Sequence, residues 1–229
     1  GIDESAWDPS EDESISQNFS AGELDKRIKN KLDLQKALDF EVDEDIPLFV
    51  IVTRLTEQKG VPAILEALPQ LLDEEWQFVI LGSGNKQLEE SIRELTSQYS
   101  DRMAGFIKYD DVIARVLYAS GDIFLMPSLY EPCGLSQMFA MRYGNLPVAT
   151  ATGGLADSIM DFSANPKTAT GFLYKQKNAD VLVNALKLAL DVFKDKEQWQ
   201  AMQLNAMKTD FSWKTSARKY LETYQTITD

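Results

Sequence analysis

The sequence contains no histidine and only one cysteine, Cys133. Without histidine the chain cannot build Ser-His or Cys-His nucleophile pairs, and histidine metal sites are excluded as well. One cysteine cannot form an internal disulfide, so we expect a reducing compartment. A reactive thiol needs an activating base, and for that reason Cys133 is interpreted first as a small packing residue.

Positive charge is scarce, because 23 Lys and Arg side chains stand against 36 Asp and Glu side chains, which gives a net charge of −13. Nucleic acids and anionic membranes require a basic surface, so neither is expected as a partner. No apolar run approaches the roughly 18 residues of a membrane-spanning helix, and no signal-peptide pattern opens the chain. The chain starts at Gly1 rather than at methionine, and we expect a fragment or a processed product.

Acidic residues are concentrated at the start, where residues 1–45 contain 14 Asp or Glu against 5 Lys or Arg. This imbalance predicts a solvated, partly mobile segment, and residues 1–20 show no regular pattern. The first helix is predicted over Leu24–Leu38, where Leu24, Ile28, Leu32 and Leu38 lie near helical spacing with basic residues between them.

Apolar runs alternate with helical stripes along the rest of the 229 residues, of which 44% are apolar. Strands are predicted at 48–52, 76–81, 103–107, 123–126, 146–149 and 171–174. Such an alternation predicts an α/β fold, a parallel sheet with helices on both faces joined by right-handed crossovers. The pattern shows no internal repeat and no long linker, so it predicts one domain over residues 1–229.

The most informative stretch is 123–137, with the sequence IFLMPSLYEPCGLSQ. Its first four residues predict a buried strand, and a short loop with Glu131 and Gly134 then leads into a helix that starts near Leu135 or Ser136. Backbone N–H groups at a helix start suit an anion, since they lack partners and the helix dipole is positive there. The loop therefore predicts a site for a phosphate-bearing ligand with a carboxylate beside it.

Other polar or glycine-rich loops also follow predicted strands, at 54–60, 82–84, 108–111 and 152–154. Because the carboxyl ends of parallel strands share one edge of the sheet, we expect Arg54, Lys59 and Glu131 to converge there. Two cations facing a helix start would clamp a diphosphate, and each charge-assisted hydrogen bond contributes about 1.5–3 kcal/mol. Taken singly, each cation would be a solvated loop charge and each glycine pair a tight turn.

Four motifs together carry a family resemblance. The stretches SLYEPCGLSQ (128–137), YG (143–144), TGGL (152–155) and RLTEQKG (54–60) resemble bacterial glycogen synthases and plant starch synthases of glycosyltransferase family 5. The start of the chain, with Trp7 and Pro9, is similar to the beginning of that family's second domain. Residues 211–229 are similar to its closing helix, so the resemblance spans the whole chain.

The resemblance implies the C-terminal half of a GT-B glycosyltransferase, a Rossmann-like three-layer sandwich that binds the nucleotide sugar. Residues 1–20 would form an irregular acidic lead-in and 211–229 the closing helix. The implied reaction transfers glucose from ADP-glucose to the non-reducing end of an α-1,4-glucan with retention, without a metal or other cofactor. The family's N-terminal domain supplies acceptor contacts, so this chain alone is expected to be inactive.

The same resemblance assigns roles to individual residues. Arg54 and Lys59 would bind the donor phosphates, Glu131 would lie at the donor glucose, and Tyr109 would stack on the base. Further substrate contacts are implied for Cys133, Gly134, Leu135, Ser136, Gly82, Gly84, Thr152, Gly153 and Gly154. Lys108, Leu129 and Ser136 depart from residues that are common in the family at those positions.

Two other functions stay open at this point. The chain could be a stand-alone nucleotide- or glucan-binding module, or belong to another retaining GT-B enzyme, such as a sucrose- or trehalose-linked transferase. The Cys133-Gly134 pair after Glu131-Pro132 disfavours the latter. A bacterial cytoplasm, or a plastid for a plant or algal source, is the expected location. The choice between ADP-glucose and UDP-glucose is open as well.

Overall fold

Six parallel strands form the centre of the molecule in a computed structural model that describes residues 1–175 and 178–228. The strands are β1 (Leu48–Val52), β2 (Gln77–Gly82), β3 (Met103–Ile107), β4 (Ile123–Met126), β5 (Leu146–Thr150) and β6 (Phe172–Tyr174). Their order in the sheet is β3-β2-β1-β4-β5-β6. Residues 48–51 of β1 are almost fully buried, as expected for a continuous apolar run in a covered parallel sheet.

Helices cover both faces of this sheet. They are α1 (Ile28–Ala37), α2 (Val61–Ala67), α3 (Lys86–Gln98), α4 (Asp111–Ser120), α5 (Ser136–Arg142), α6 (Gly153–Ser158), α7 (Ala179–Lys194), α8 (Lys196–Lys208) and α9 (Trp213–Thr228). One layer contains α2 with α3 and α7, and the other contains α4 with α1 and α5. The predicted Rossmann-like α/β fold is confirmed.

Local sequence signals explain several helix boundaries. The helix predicted from Val61 was expected to kink or shorten at Pro69, and α2 indeed ends at Ala67 and continues as a 3-10 turn over Leu68–Leu71. Asp110 caps α4, since its carboxylate accepts a hydrogen bond from the backbone N–H of Ile113 at 3.0 Å. No helix in residues 1–175 and 178–228 is long and apolar enough to cross a membrane.

The order in which successive strands are added to the sheet reverses next to β1. From β1 the chain proceeds outward through β2 to β3, and it then returns to place β4 on the other side of β1. In open α/β sheets, ligands bind in the crevice outside the carboxyl ends of the strands at such a reversal. The crevice here is bounded by the loop after β1 and the loop after β4.

The leading segment, residues 1–20, is irregular as predicted, but the expectation that it is solvated is wrong for its central part. Asp12 is 8% exposed and Phe19 is 1% exposed. The Asp12 carboxylate accepts hydrogen bonds from the Tyr143 hydroxyl at 2.5 Å and from Arg115 at 3.0 Å. This part of the segment is therefore packed on the domain, since Asp12 and Asp8 have specific donors on α4 and α5.

The helix predicted over 24–38 is also packed differently from its apolar pattern. It consists of a 3-10 turn over Leu24–Arg27 followed by α1. Lys31 is 2% exposed whereas Ile28 is 37% exposed. Buried carboxylate and carbonyl groups on neighbouring elements draw the polar residues inward, and they override the apolar spacing.

Candidate functional site

A pocket of about 290 Å³ opens where β1, β2 and β3 end. Three residues that the sequence singled out, Arg54, Gly82 and Tyr109, line it. Arg54 is exposed and forms no ion pair with any residue in the described part of the chain. Lys108, also on the wall, is instead paired with Asp110 at 2.9 Å. Arg54 is thus the cation on this wall whose charge is left for a ligand.

Tyr109 stands at the rim of the pocket with 84% of its surface exposed. Its hydroxyl donates a hydrogen bond to Asp111 Oδ1 at 2.7 Å, and this bond raises the pKa of the Tyr109 hydroxyl above its usual value. The ring has open space around it, so a flat aromatic ligand could stack on it.

A second group of predicted residues meets on the loops after β1 and β4. The Lys59 ammonium forms an ion pair with Glu131 Oε2, which also accepts a 3.4 Å hydrogen bond from the Ser128 hydroxyl. The Glu131 side chain is 8% exposed and that of Lys59 is 17% exposed. Within the described residues, no hydrogen bond reaches Glu131 Oε1. That oxygen is therefore available to a donor group on a ligand.

Backbone contacts join these two loops. The Leu129 N–H donates to the Gln58 carbonyl at 2.8 Å, and the Gln58 side chain donates to the Tyr130 carbonyl at 3.1 Å. Lys59 and Glu131 are 72 residues apart in sequence, yet the pairing of β1 with β4 brings their loops together. The expected convergence is confirmed for these two residues, whereas Arg54 lines the pocket and its convergence with them stays a prediction.

Gly153 and Gly154 lie directly beneath the Glu131 loop. Gly153 has a φ of +45°, and a Cβ there would collide with the Glu131 carbonyl oxygen. A Cβ on Gly154 would collide with the Cys133 carbonyl oxygen, and the Gly154 N–H donates to the Glu131 carbonyl at 3.1 Å. Both glycines thus have a packing role that supports the loop, and their contact with substrate stays a prediction.

The remaining predicted residues fall on the same edge. Cys133 and Leu135 are exposed on the loop, and Ser136 opens α5. Thr152 is half-buried just before α6, and Gly84 lies beside Leu55, with which it forms a β-bridge. The structure therefore brings all thirteen predicted positions to the carboxyl edge of the sheet, in the pocket or on the adjoining loops. Their individual roles stay predictions.

Gln137 holds the loop and was given no role in the sequence analysis. Its amide nitrogen donates to the Gly134 carbonyl at 2.9 Å, the Cys133 carbonyl at 3.2 Å and the Ser158 hydroxyl at 3.1 Å. Gln137 is fully buried. A polar residue three positions after a glycine, directly before the apolar run 138–141, was the available signal for this support.

The aromatic wall of the pocket was also missed. Trp7, Tyr118 and Phe139 line it together with the residues at the strand ends. Burial raises the pKa of the Tyr118 hydroxyl, and a hydrogen bond with Ser136 opposes that shift. The Tyr118 and Phe139 rings lie 5.9 Å apart, and this contact joins α4 to α5 at the wall. No local pattern reveals the wall, because it is built from three distant segments.

The arrangement can hold an anion at Arg54 and Lys59, a flat ring at Tyr109 and hydroxyl groups at Glu131. Such a combination suits a nucleoside diphosphate joined to a sugar. The residues that the structure describes contain no group of three or more His, Cys, Asp or Glu side chains placed to hold a metal ion.

Comparisons with known proteins agree with this chemistry. The family model for glycosyl transferases group 1 matches residues 35–208. The chain is 43% identical over 229 residues to a glycogen synthase of Clostridioides difficile. The match covers 100% of this chain and 48% of that protein. The chain spans about half the length of the curated relatives it matches.

Among solved structures, the fold superposes with a TM-score of 0.92 on the catalytic domain of starch synthase IV from Arabidopsis thaliana, bound to ADP and acarbose. The identity is 36%, and the match covers 98% of this chain and 47% of that one. A sucrose-phosphate synthase from Thermosynechococcus elongatus matches with a TM-score of 0.64 at 24% identity, over 85% of this chain and 48% of that one. This second likeness shows a shared fold alone.

Proposed function

Since this chain belongs to the glycosyl transferases group 1 family, we propose that it is the donor-binding domain of a glycogen or starch synthase. The reaction transfers glucose from ADP-glucose to the non-reducing end of an α-1,4-glucan with retention of configuration. The observation that carries this proposal is the meeting of Lys59 and Glu131 on the loops after β1 and β4, at the reversal of strand order. Arg54, which lines the pocket, lies on the same loop as Lys59. The likeness to a starch synthase bound to ADP and acarbose supports it.

In this mechanism Arg54 and Lys59 stabilise the nucleotide diphosphate as it leaves. Negative charge grows on the departing phosphate in the transition state, and fixed cations aimed at that charge lower the barrier. Glu131 Oε1 accepts hydrogen bonds from the transferred glucose, while Lys59 changes its partner from Glu131 to the phosphate. Arg54 and Lys59 supply the positive charge, and the proposed reaction uses no metal ion.

The acceptor glucan is held by a second, N-terminal domain, and the isolated chain is inactive. A crevice closed on one side only does not exclude water, which competes for the glucosyl group. Helix α9 offers a surface for that partner domain, because Trp213, Leu221 and Ile227 are 63%, 61% and 75% exposed. The bacterial relatives and the single cysteine support a cytoplasmic location.

The test is a side-by-side calorimetric titration of the chain with ADP-glucose and UDP-glucose, together with a glucan elongation assay. We expect weak binding, tighter for ADP-glucose, and no elongation. Adenosine is the matched control, because it keeps the base and lacks the diphosphate. Absence of binding to both nucleotide sugars would refute the donor-site assignment, and measurable elongation would refute the inactivity of the isolated chain.

A further inference from the structure

The indole of Trp7 is held between two side chains beside the pocket. Its ring stacks on Phe139 with centroids 3.8 Å apart and planes inclined by 17°. The Arg115 guanidinium lies 4.1 Å from the indole centroid. Both groups cannot occupy the same face at these distances, so the indole is sandwiched between them. Trp7 is therefore fixed in orientation although it belongs to an irregular segment.

Arg115 anchors the rest of the leading segment to α4. Its guanidinium donates to the Ala6 carbonyl at 2.8 Å and to Asp12 Oδ2 at 3.0 Å. On α5, Arg142 pairs with Asp8 at 3.3 Å. Residues 6–12 are thus tied to both helices that border the pocket, with Trp7 at the centre of the contact.

Phe139, which carries the stacked indole, also belongs to the helix that follows the Glu131 loop. It lies one turn after Ser136 on α5 and lines the pocket. Tyr118, which lines the pocket from α4, has its ring 5.7 Å from Trp7 and 5.9 Å from Phe139. A shift of the indole would therefore move the wall against which a ligand in the pocket rests.

We propose that Trp7 is a positioning residue for the donor nucleotide, which acts by fixing Phe139 and the start of α5 and so makes residues 1–20 a part of the donor site. This inference rests on the proposed function, since it takes the ligand of the pocket to be a nucleoside diphosphate. The donor site would thereby include residues 1–20, a segment that contains none of the expected substrate-binding residues.

The experiment compares ADP binding by the unaltered chain with that of Trp7→Ala and Trp7→Phe. Loss of the aromatic contacts in Trp7→Ala is expected to raise the Kd for ADP by about tenfold, whereas Trp7→Phe retains stacking and stays within about twofold. Indole fluorescence gives a second readout. We expect ADP to change the emission of the unaltered chain, and we expect most of that change to be absent in Trp7→Phe.

Trp213→Phe is the matched control, because Trp213 is exposed on α9 away from the pocket. It should keep the emission change that ADP causes. If the unaltered chain does not bind ADP, the proposed function fails and this inference fails with it. If the unaltered chain binds and Trp7→Ala binds equally well, only the inference is overturned. If Trp7→Ala fails to fold, Trp7→Phe decides. An ADP-induced emission change in Trp7→Phe as large as that of the unaltered chain would overturn the inference.

Discussion

Each end of the sheet has a buried carboxylate paired with at least one cation, and the two ends differ in what is left unpaired. At the amino end, Asp122 lies 2.7 Å from Lys31 and 3.7 Å from Arg27. At the carboxyl end, Glu131 pairs with Lys59 while Arg54 has no ion pair among the described residues. Asp122, Lys31 and Arg27 thus form a closed cluster at the amino end, whereas the carboxyl end leaves the Arg54 cation without a counterion among the described residues.

Every group of the amino-end cluster has its partners inside the protein. Arg27 Nε donates to the Tyr143 carbonyl at 2.8 Å, Lys31 donates to the Glu44 carbonyl at 2.8 Å, and Asp122 accepts from the Leu48 N–H at 2.9 Å. Burial lowers the pKa of Arg27 to about 10, so it keeps its charge at neutral pH. Burial lowers the pKa of Lys31 as well.

Cavity size does not separate the two ends. A cavity of about 310 Å³ lies beside Arg27 and Lys31, and it is slightly larger than the 290 Å³ pocket beside Arg54. The two ends differ in whether their cations already have counterions, because a paired cation interacts weakly with a ligand. We therefore expect substitutions at the amino end to lower stability and substitutions of the cations at the carboxyl end to weaken ligand binding.

The largest effect is expected for Asp122→Ala. Removing the carboxylate leaves two buried cations without their counterion, and breaking a buried pair in this way costs about 3–5 kcal/mol of unfolding free energy. Urea denaturation measures this loss. The control is Asp45→Ala, because Asp45 is paired with Lys196 on the surface, where a pair contributes about 1 kcal/mol or less. Equal losses in both variants would contradict the structural role of Asp122.

Arg54→Ala and Lys59→Ala should act on binding. Each removes a cation that we propose binds the diphosphate, and each is expected to weaken ADP binding by about 1.5–3 kcal/mol. Calorimetry gives the affinity. Urea denaturation should show near-normal stability for Arg54→Ala and a loss of stability for Lys59→Ala, which leaves the buried Glu131 carboxylate without its counterion. Lys214→Ala, which removes an exposed lysine on α9, is the matched control. If ADP binds both site variants as tightly as the unaltered chain, neither residue belongs to the site.

Glu131→Gln tests the Lys59–Glu131 pair from the carboxylate side. The amide cannot hold Lys59 as an ion pair, so a diphosphate no longer has to draw the ammonium away from a carboxylate. ADP affinity should therefore stay the same or increase by up to about fivefold, the range of a partly exposed pair. A large loss of ADP affinity would show that Glu131 supports nucleotide binding through some other contact.

The smallest effect concerns pH and the carboxylate of the leading segment. Burial opposes ionisation of Asp12, but hydrogen bonds from Tyr143, the Ser14 N–H and Arg115 outweigh it and lower the pKa of Asp12. A lowered folded-state pKa gives stability that is present above the unfolded value of about 3.9 and is lost as the pH falls through the folded value. Below about pH 4, the unaltered chain should thus lose more unfolding free energy than Asp12→Asn does. Parallel pH profiles in urea would contradict this.

Sequence patterns were sufficient for the sheet and for the edge that carries the site. Continuous apolar runs identified the six strands to within one or two residues, and the shared edge of parallel strands predicted that Lys59 and Glu131 would meet. The sequence did not reveal the burial of Lys31 or the packing of Trp7 on Phe139. Such contacts depend on how distant segments pack, and they leave no periodicity within either segment.

The joining of the loops after β1 and β4 has a consequence for the order of folding. Lys59 and Glu131 are separated by 72 residues, and parallel pairings over such distances form slowly, since the chain pays the entropy of closing the intervening loop first. A chain with β1, β2 and β3 already assembled would still have no crevice. Recovery of ADP binding during refolding should therefore lag behind the recovery of helical signal, and it would report the docking of β4.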